Sequence, residues 1–159
     1  MENDFTRTVS FFRFEDLRVY HKALDYIDWV ASLTQMLPEN HNNGTVPKFN
    51  NIAQSIAFYI AEGSARNKSQ FIYYLKLAKS SLRECIVLAD ILEKQGTLSA
   101  ESIETSRNQV IELTKMIGAL IGSLQKSNKK QYDNKTSRTY NEMHEEEFDF
   151  VEQSDIRKY

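Results

Sequence analysis

The stretch FIYYLKLAKSSLRECIVLADIL, residues 71–92, has the most regular apolar pattern in the sequence. Its apolar positions follow one another in alternating steps of four and three residues: Phe71, Leu75, Ala78, Leu82, Cys85, Ala89 and Leu92. A repeat that averages about 3.5 residues places these side chains on one face of an α-helix and favours shallow packing against similar helices. The stretch therefore predicts one helix of an α-helical bundle.

Three more segments have helical patterns, over residues 15–37, 45–63 and 103–124. The core-facing positions predicted in the first are Leu17, Tyr20, Leu24, Ile27 and Ala31. No segment alternates apolar and polar residues as a half-buried strand does. We therefore predict an all-α fold, an antiparallel up-down four-helix bundle with short loops.

The charge pattern changes after residue 126. Residues 1–126 carry 14 Lys/Arg and 14 Asp/Glu, residues 127–138 are mainly basic, and residues 142–155 carry seven acids and no Lys or Arg. A segment with so little apolar surface does not offset its chain entropy by burial. We predict an N-terminal extension (1–13), the four-helix bundle (14–126) and a mostly disordered tail (127–159).

The composition restricts the class of protein. The formal net charge of −2 does not indicate a strongly basic nucleic-acid protein. A single cysteine forms no internal disulfide, which favours a reducing compartment. The start of the chain has no secretory pattern, and no apolar run approaches the ~20 residues of a membrane span. We expect a cytoplasmic protein without membrane contact.

No residue pattern points to catalysis. A zinc site needs about four ligands close together. The possible ligands are scattered over different predicted elements: His21, His41, His144 and Cys85. Nothing in their spacing holds Glu62, Glu84 and Asp90 together as paired acids. The sequence predicts no catalytic residue, no metal site and no cofactor, and we expect a protein that is not an enzyme.

The stretch YIAEGSARNKSQF, residues 59–71, is either a phosphate-binding loop or a turn between helices. A phosphate loop usually follows a strand and has more glycines. The turn interpretation places Gly63 in the left-handed conformation at a helix end, and Asn67 and Gln70 in a capping box. Arg66 and Lys68 remain candidates for contact with an anion.

The other helix ends also have sequence signals. Thr45 or Val46 is expected to cap the second helix, because Pro47 is tolerated in a first turn. In the turn KQGTLSAE, residues 94–101, Gly96 is expected to end the third helix and Ser99 to cap the fourth.

A second apolar line lies beside the core positions of the third helix. Its members are Tyr74, Leu77, Leu88 and Ile91. Neighbouring helices of the same chain cover this line, or it is buried between subunits. These residues are therefore candidates for an oligomer interface.

Two stretches resemble a known family: FEDLRVYHKALDYI (14–27) and SIAFYIAEGSARNKSQFIYYLKLAKSSLRE (55–84). Matching positions are Phe14, Leu17, Val19, Tyr20, Ser55, Ile56, Ile60, Ala61, Glu62, Gly63, Ala78, Ser81, Leu82 and Glu84. Over residues 14–126 the chain resembles the four-helix bundle proteins of the 23S rRNA intervening-sequence family. It also resembles a related branch, the accessory variability determinants of diversity-generating retroelements. The resemblance implies a ring of five copies that binds nucleic acid and a reverse transcriptase.

Two functional hypotheses follow. The first is a nucleic-acid-associated bundle, supported by Lys76, Lys79 and Arg83 on one side of the third helix, which continue toward Lys68 and Arg66. The alternative for these residues is an ordinary solvated face.

The second hypothesis is a protein-interaction scaffold that displays the acidic tail and binds no nucleic acid. Phe148, Phe150 and Val151 are its candidate partner contacts, because acids interleaved with apolar residues can fold on a basic, apolar groove. The alternative is a tail that only aids solubility.

Overall fold

The computed structural model describes the backbone of residues 10–38 and 44–148 and the side chains of residues 10–38 and 44–126. A short 3₁₀ helix, Arg13–Asp16, precedes four α-helices. Their bounds are α1 Arg18–Gln35, α2 Thr45–Ser64, α3 Lys68–Lys94 and α4 Ala100–Phe148. Every regular element in these ranges is helical, which confirms the predicted all-α four-helix fold. None of the helices in the described part of the chain is long and apolar enough to span a membrane.

Helix α3 supplies the central row of the core. All seven positions predicted from its 3.5-residue repeat are buried. α2 packs along α3 and also against α1. On α4, the buried positions are Ile103, Ser106, Val110, Leu113 and Ile117, whereas Leu120 and Leu124, further along the same pattern, are partly exposed.

The core-facing side of α1 differs from the prediction. The buried positions are Val19, Ala23, Tyr26, Val30 and Thr34. The predicted positions lie on an adjacent face, where Leu24 is 40% exposed. α1 has apolar residues on both faces, so spacing alone does not select one. Two hydrogen bonds to other helices favour the face that is buried. Tyr26 Oη lies 2.9 Å from Ser106 Oγ on α4, and Asn50 Nδ2 on α2 donates to Thr34 Oγ1 at 2.9 Å.

The prediction that Gly63 ends α2 in a left-handed conformation is wrong. The helix continues through Gly63 to Ser64, and its C-cap Ala65 has a right-handed φ of −82°. A Cβ atom at Gly63 would lie 2.6 Å from Tyr74 Cβ and 2.9 Å from Phe71 Cδ2. The glycine is therefore needed for the close approach of α2 to α3.

The predicted cap residues Asn67, Gly96 and Ser99 are confirmed, whereas the capping box of Asn67 with the Gln70 side chain stays a prediction. Asn67 Oδ1 accepts a hydrogen bond from the Gln70 amide at 3.0 Å. After α3, Gly96 has a φ of +70°, and the amides of Gly96 and Thr97 donate to Glu93 O and Leu92 O at 2.9 Å each. This is the two-bond pattern of a Schellman motif. Ser99 Oγ accepts from the amide of Ser102 at the start of α4.

α2 begins at Thr45, so the two predicted cap residues, Thr45 and Val46, lie inside the helix. Its N-cap is Gly44, with a φ of +86°, and not Thr45 or Val46. Pro47 lies in the first turn as predicted. A positive φ favours glycine, so the backbone conformation selects the residue at this cap.

The chain divides into two compact units, Met1–Gly118 and Ala119–Tyr159. α4 continues as a helical backbone to Phe148, into the segment for which composition predicts mostly disorder. The predicted tail contacts Phe150 and Val151 lie outside the described residues, as does the side chain of Phe148. The division into bundle and tail at residue 126 stays a prediction.

A polar cluster lies inside the core, where Tyr26, Cys85 and Ser106 are almost fully buried. Burial raises the pKa of the Cys85 thiol to about 12, and burial likewise raises the pKa of the Tyr26 phenol. Both side chains therefore stay protonated and neutral at physiological pH. This makes Cys85 an inert core residue and not a nucleophile.

Candidate nucleic-acid interface

The outer face of α3 carries the predicted basic residues Lys76, Lys79 and Arg83, which we call the basic stripe. Lys76 and Arg83 are exposed and Lys79 is half-buried. Arg83 Nη2 donates to Ser80 Oγ at 3.0 Å, which orients the guanidinium along the helix. The ion pairs among the described residues join other groups, namely Lys22–Glu112, Glu62–Arg66 and Asp90–Arg107. No carboxylate among the described residues forms an ion pair with the cations of the basic stripe.

An exposed aromatic residue extends the basic stripe toward the N-terminus of α3. Tyr73 precedes Lys76 by one helical turn and is 59% exposed. Its ring contacts that of Tyr74 edge to face, with centroids 5.7 Å apart. Tyr73 was not predicted as a site residue. Its position three residues before Lys76 places it on the same face of α3, but a tyrosine in a helix is usually assigned to the core.

Arg66 and Lys68 lie at the connection between α2 and α3. Arg66 Nε donates to Glu62 Oε1 at 3.0 Å, and its guanidinium carbon lies 6.0 Å from the centroid of the Tyr74 ring. Lys68 is exposed at the first position of α3. Because the Arg66–Glu62 pair is half exposed, water and salt screen it, and Arg66 can exchange Glu62 for another anion at little cost.

The connection itself is a turn and not a phosphate loop. Residues 65–67 join two helices, and Asn67 already satisfies one free amide of α3. A phosphate loop needs several such amides pointing at the ligand.

The residues of the predicted interface line on α3 differ in how far the chain itself buries them. Leu88 is only 6% exposed, so its own chain covers most of this side chain, and the oligomer interface at this line stays a prediction. Tyr74 and Leu77 are half-buried against α2, whose Tyr59 ring lies 6.3 Å from that of Tyr74. Ile91 remains exposed, beside the exposed side chain of Val87. Apolar surface on this line thus remains at Ile91 and, in part, at Tyr74 and Leu77.

A second surface was not predicted from the sequence. Six aromatic side chains line a groove of about 680 Å³, which we call the aromatic groove: Phe11, Phe12, Phe14, Phe58, Tyr59 and Tyr74. Phe11 is 89% exposed and Phe58 is 67% exposed. The polar side chains of Arg13 and Glu62 lie in its wall.

Packing of the chain before α1 builds this groove. The Phe14 ring lies edge to face with that of Tyr20, at 4.9 Å between centroids, and His21 Nε2 lies 2.6 Å from Glu15 O. Both contacts hold the 3₁₀ helix against the start of α1. The Phe12 and Phe14 rings stack at 5.6 Å. Sequence reasoning assigned Phe11 and Phe12 to an extension and had no signal that they meet the end of α2.

Within the described part of the chain, no group of three or more His, Cys, Asp or Glu residues is placed to hold a metal ion. Cys85 is buried in the polar cluster with Tyr26 and Ser106, and Glu62 and Asp90 are each paired with an arginine.

The geometry described above is a helical bundle with an exposed basic stripe, and comparison with known proteins places it in a family. The family model for the 23S rRNA-intervening sequence protein matches residues 15–119, about two thirds of the chain. The chain belongs to this family. No curated protein matches the sequence.

A solved structure has a similar fold. It is the crystal structure of a protein of unknown function from the S23 ribosomal protein family of Bacteroides thetaiotaomicron VPI-5482. The two chains are 21% identical with a TM-score of 0.61, and the match covers 65% of this chain and 95% of the other. At this identity the similarity extends to the fold alone.

Proposed function

We propose that this member of the 23S rRNA-intervening sequence protein family is a non-enzymatic oligomer that associates with RNA or DNA. The observation that carries the proposal is the basic stripe. Lys76, Lys79 and Arg83 lie on the outer face of one helix, and no described carboxylate pairs with them. A row of cations of this kind attracts phosphates by releasing condensed counterions.

The salt dependence of binding tests the proposal. The wild-type protein is expected to bind a labelled RNA with an affinity that falls as salt rises. Each phosphate contact contributes a slope of about −0.7 on single strands in a plot of log affinity against log salt. A variant with Lys76, Lys79 and Arg83 changed to Ala should lose up to about two units of slope. Fluorescence anisotropy measures both quantities.

A matched control removes the same charge elsewhere. Lys22, Arg107 and Lys115 are exposed and lie on α1 and α4, away from the basic stripe of α3. Their combined change to Ala should leave the slope nearly unchanged. Salt-independent binding, no binding, or an equal loss in both variants would contradict the proposal.

The oligomeric state is part of the same proposal. The resemblance to ring-forming relatives supports five copies, and light scattering should then give about five times the monomer mass of 18.5 kDa. A reverse transcriptase is the protein partner that the retroelement branch suggests. Co-purification of a reverse transcriptase with the full chain, when the two are expressed together, would support that partner. A monomeric mass in light scattering would contradict the ring of five copies.

A second candidate function rests on the acidic segment. Residues 142–155 carry seven acids and no Lys or Arg, interleaved with Phe148, Phe150 and Val151. Such a segment fits a partner with a basic, apolar groove. Changing Phe148 and Phe150 to Ser in the full chain should abolish capture of that partner. Unchanged capture, together with RNA binding by the basic stripe, would reject the scaffold in favour of the first function.

A further inference from the structure

We infer that the aromatic groove binds unpaired nucleobases, so that the protein recognises single-stranded nucleic acid. This inference rests on the proposed function and adds the class of ligand. Two kinds of contact hold single strands without regard to sequence: cations along the phosphates and aromatic rings that stack on the bases. The chain presents both on one continuous surface.

Continuity between the two surfaces comes from adjacent tyrosines. Tyr74 lines the aromatic groove, and the neighbouring Tyr73 contacts its ring and lies one turn before Lys76 of the basic stripe. A strand whose phosphates follow the basic stripe would therefore arrive at the groove. The 680 Å³ of the groove is within the range of about 300–1,000 Å³ that holds small ligands, which is room for a base.

The ring arrangement suits stacking. Phe58 is 67% exposed, so its ring is open to a flat ligand. Phe12 and Phe14 already stack on each other at 5.6 Å, with an angle of 19° between their planes, and extend a parallel stack toward solvent. Bases stack on such rings whatever their identity, because every base has a π face.

The charges around the groove favour a nucleic acid over an apolar peptide. Arg13 lies in the wall, and no carboxylate among the described residues pairs with it. Arg66 lies over the Tyr74 ring and is paired only with the exposed Glu62. An apolar partner would bury the Arg13 guanidinium without a counter-charge, which is unfavourable, whereas Arg66 already has Glu62 as its counter-charge. The phosphates of a strand would supply that charge for Arg13.

The test compares two ligands that differ only in their bases. One is a labelled oligothymidylate of about 12 nucleotides, within the usual site sizes, and the other is an abasic strand with the same number of phosphates. The full-length protein should bind the oligothymidylate about ten-fold more tightly. A duplex of the same length has no unpaired bases, so loss of an aromatic ring from the groove should leave its affinity unchanged.

Three variants locate the effect. Phe58→Leu keeps an apolar side chain but removes the ring, and should lower oligothymidylate affinity about ten-fold without changing the abasic strand. Phe58→Tyr keeps the ring and should bind like the wild type. Met36→Ala, at an exposed position at the far end of α1, is the matched control and should have no effect. Thermal unfolding checks that each variant is folded.

The possible results distinguish binding of bases in the aromatic groove from binding of phosphates by the basic stripe. Equal affinity for the thymidylate and abasic strands, or full affinity in Phe58→Leu, overturns the inference and leaves the proposed function standing. If neither strand binds, both fail. A fall in the light-scattering mass of Phe58→Leu also overturns the inference, because the groove would then be an interface between copies.

Discussion

At the scale of single residues, Gly63 decides how closely α2 approaches α3. Its missing side chain leaves room for the Tyr74 Cβ and the Phe71 ring. Gly118 provides a contrast, because a Cβ atom there would meet nothing within 4 Å. Both glycines lie inside helices, where alanine is intrinsically more favourable by about 1 kcal/mol.

We expect Gly63→Ala to lower the free energy of unfolding by about 1–3 kcal/mol, because the new methyl group overpacks the contact between α2 and α3. Gly118→Ala should instead raise it by up to about 1 kcal/mol. Denaturant unfolding followed by circular dichroism measures both. Equal effects of the two changes would show that the close approach does not matter.

Cys85 makes the stability depend on pH at the alkaline end. Its pKa is raised from 9.0 to about 12 by burial, so the folded protein holds a proton that the unfolded chain releases. The contribution is fully present below pH 9 and is lost as the pH rises toward 12. Tyr26, whose pKa is also raised by burial, acts in the same direction.

We therefore expect the free energy of unfolding to fall between about pH 9 and pH 11, and to fall less steeply in Cys85→Ala. The thiol should react with a disulfide reagent only after unfolding. Urea titrations at several pH values and a thiol assay measure these effects. A thiol that reacts rapidly in the native protein would contradict the prediction.

At the scale of helices, α3 and α1 show what sequence can and cannot predict. In α3 the 3.5-residue repeat runs without interruption, so a single period predicted the burial of all seven positions, although Leu88, which lies off that repeat, is buried as well. In α1 the apolar residues occupy two faces, and the choice depends on partners in other helices, Ser106 and Asn50. The spacing of residues within one helix does not show which residues of other helices they contact.

The same limit applies to the candidate site. The basic stripe follows from positions within one helix and was predictable. The aromatic groove requires the 3₁₀ helix to fold against the end of α2, and that contact joins residues far apart in the sequence. Local patterns therefore predicted the cations and missed Phe58 and Phe11.

Two substitutions in α1 test which of its faces belongs to the core. Val30→Ala should destabilise the protein by about 2 kcal/mol, because Val30 is fully buried. Leu24→Ala should cost less than about 1 kcal/mol, although it removes more atoms, because Leu24 is partly exposed. Thermal denaturation ranks the two, and the reverse order would restore the face predicted from sequence.

At the scale of the whole molecule, the net charge does not favour binding of nucleic acid, so local groups of exposed side chains determine what the protein binds. The first 126 residues carry equal numbers of acids and bases, so any attraction for nucleic acid is local. Outside the aromatic groove, the exposed aliphatic side chains of Val87 and Ile91 add apolar surface that association of copies can bury.

If the protein is a pentamer, folding and assembly are linked, and the midpoint of thermal unfolding should rise with protein concentration. We expect an increase of several degrees over a hundred-fold range of concentration. Calorimetry on the full chain measures it, with light scattering on the same samples. A monomeric mass with a constant midpoint would contradict the oligomer.

The short connection between α2 and α3 also bears on the order of folding. Residues 65–67 join two helices that pack along each other, so little chain entropy is lost when they meet. Contacts that are local in sequence form early in small domains. We expect the α2–α3 hairpin to be the folding nucleus, so Gly63→Ala should mainly slow refolding in stopped-flow experiments. A variant that refolds at the normal rate but unfolds faster would place this hairpin late on the pathway.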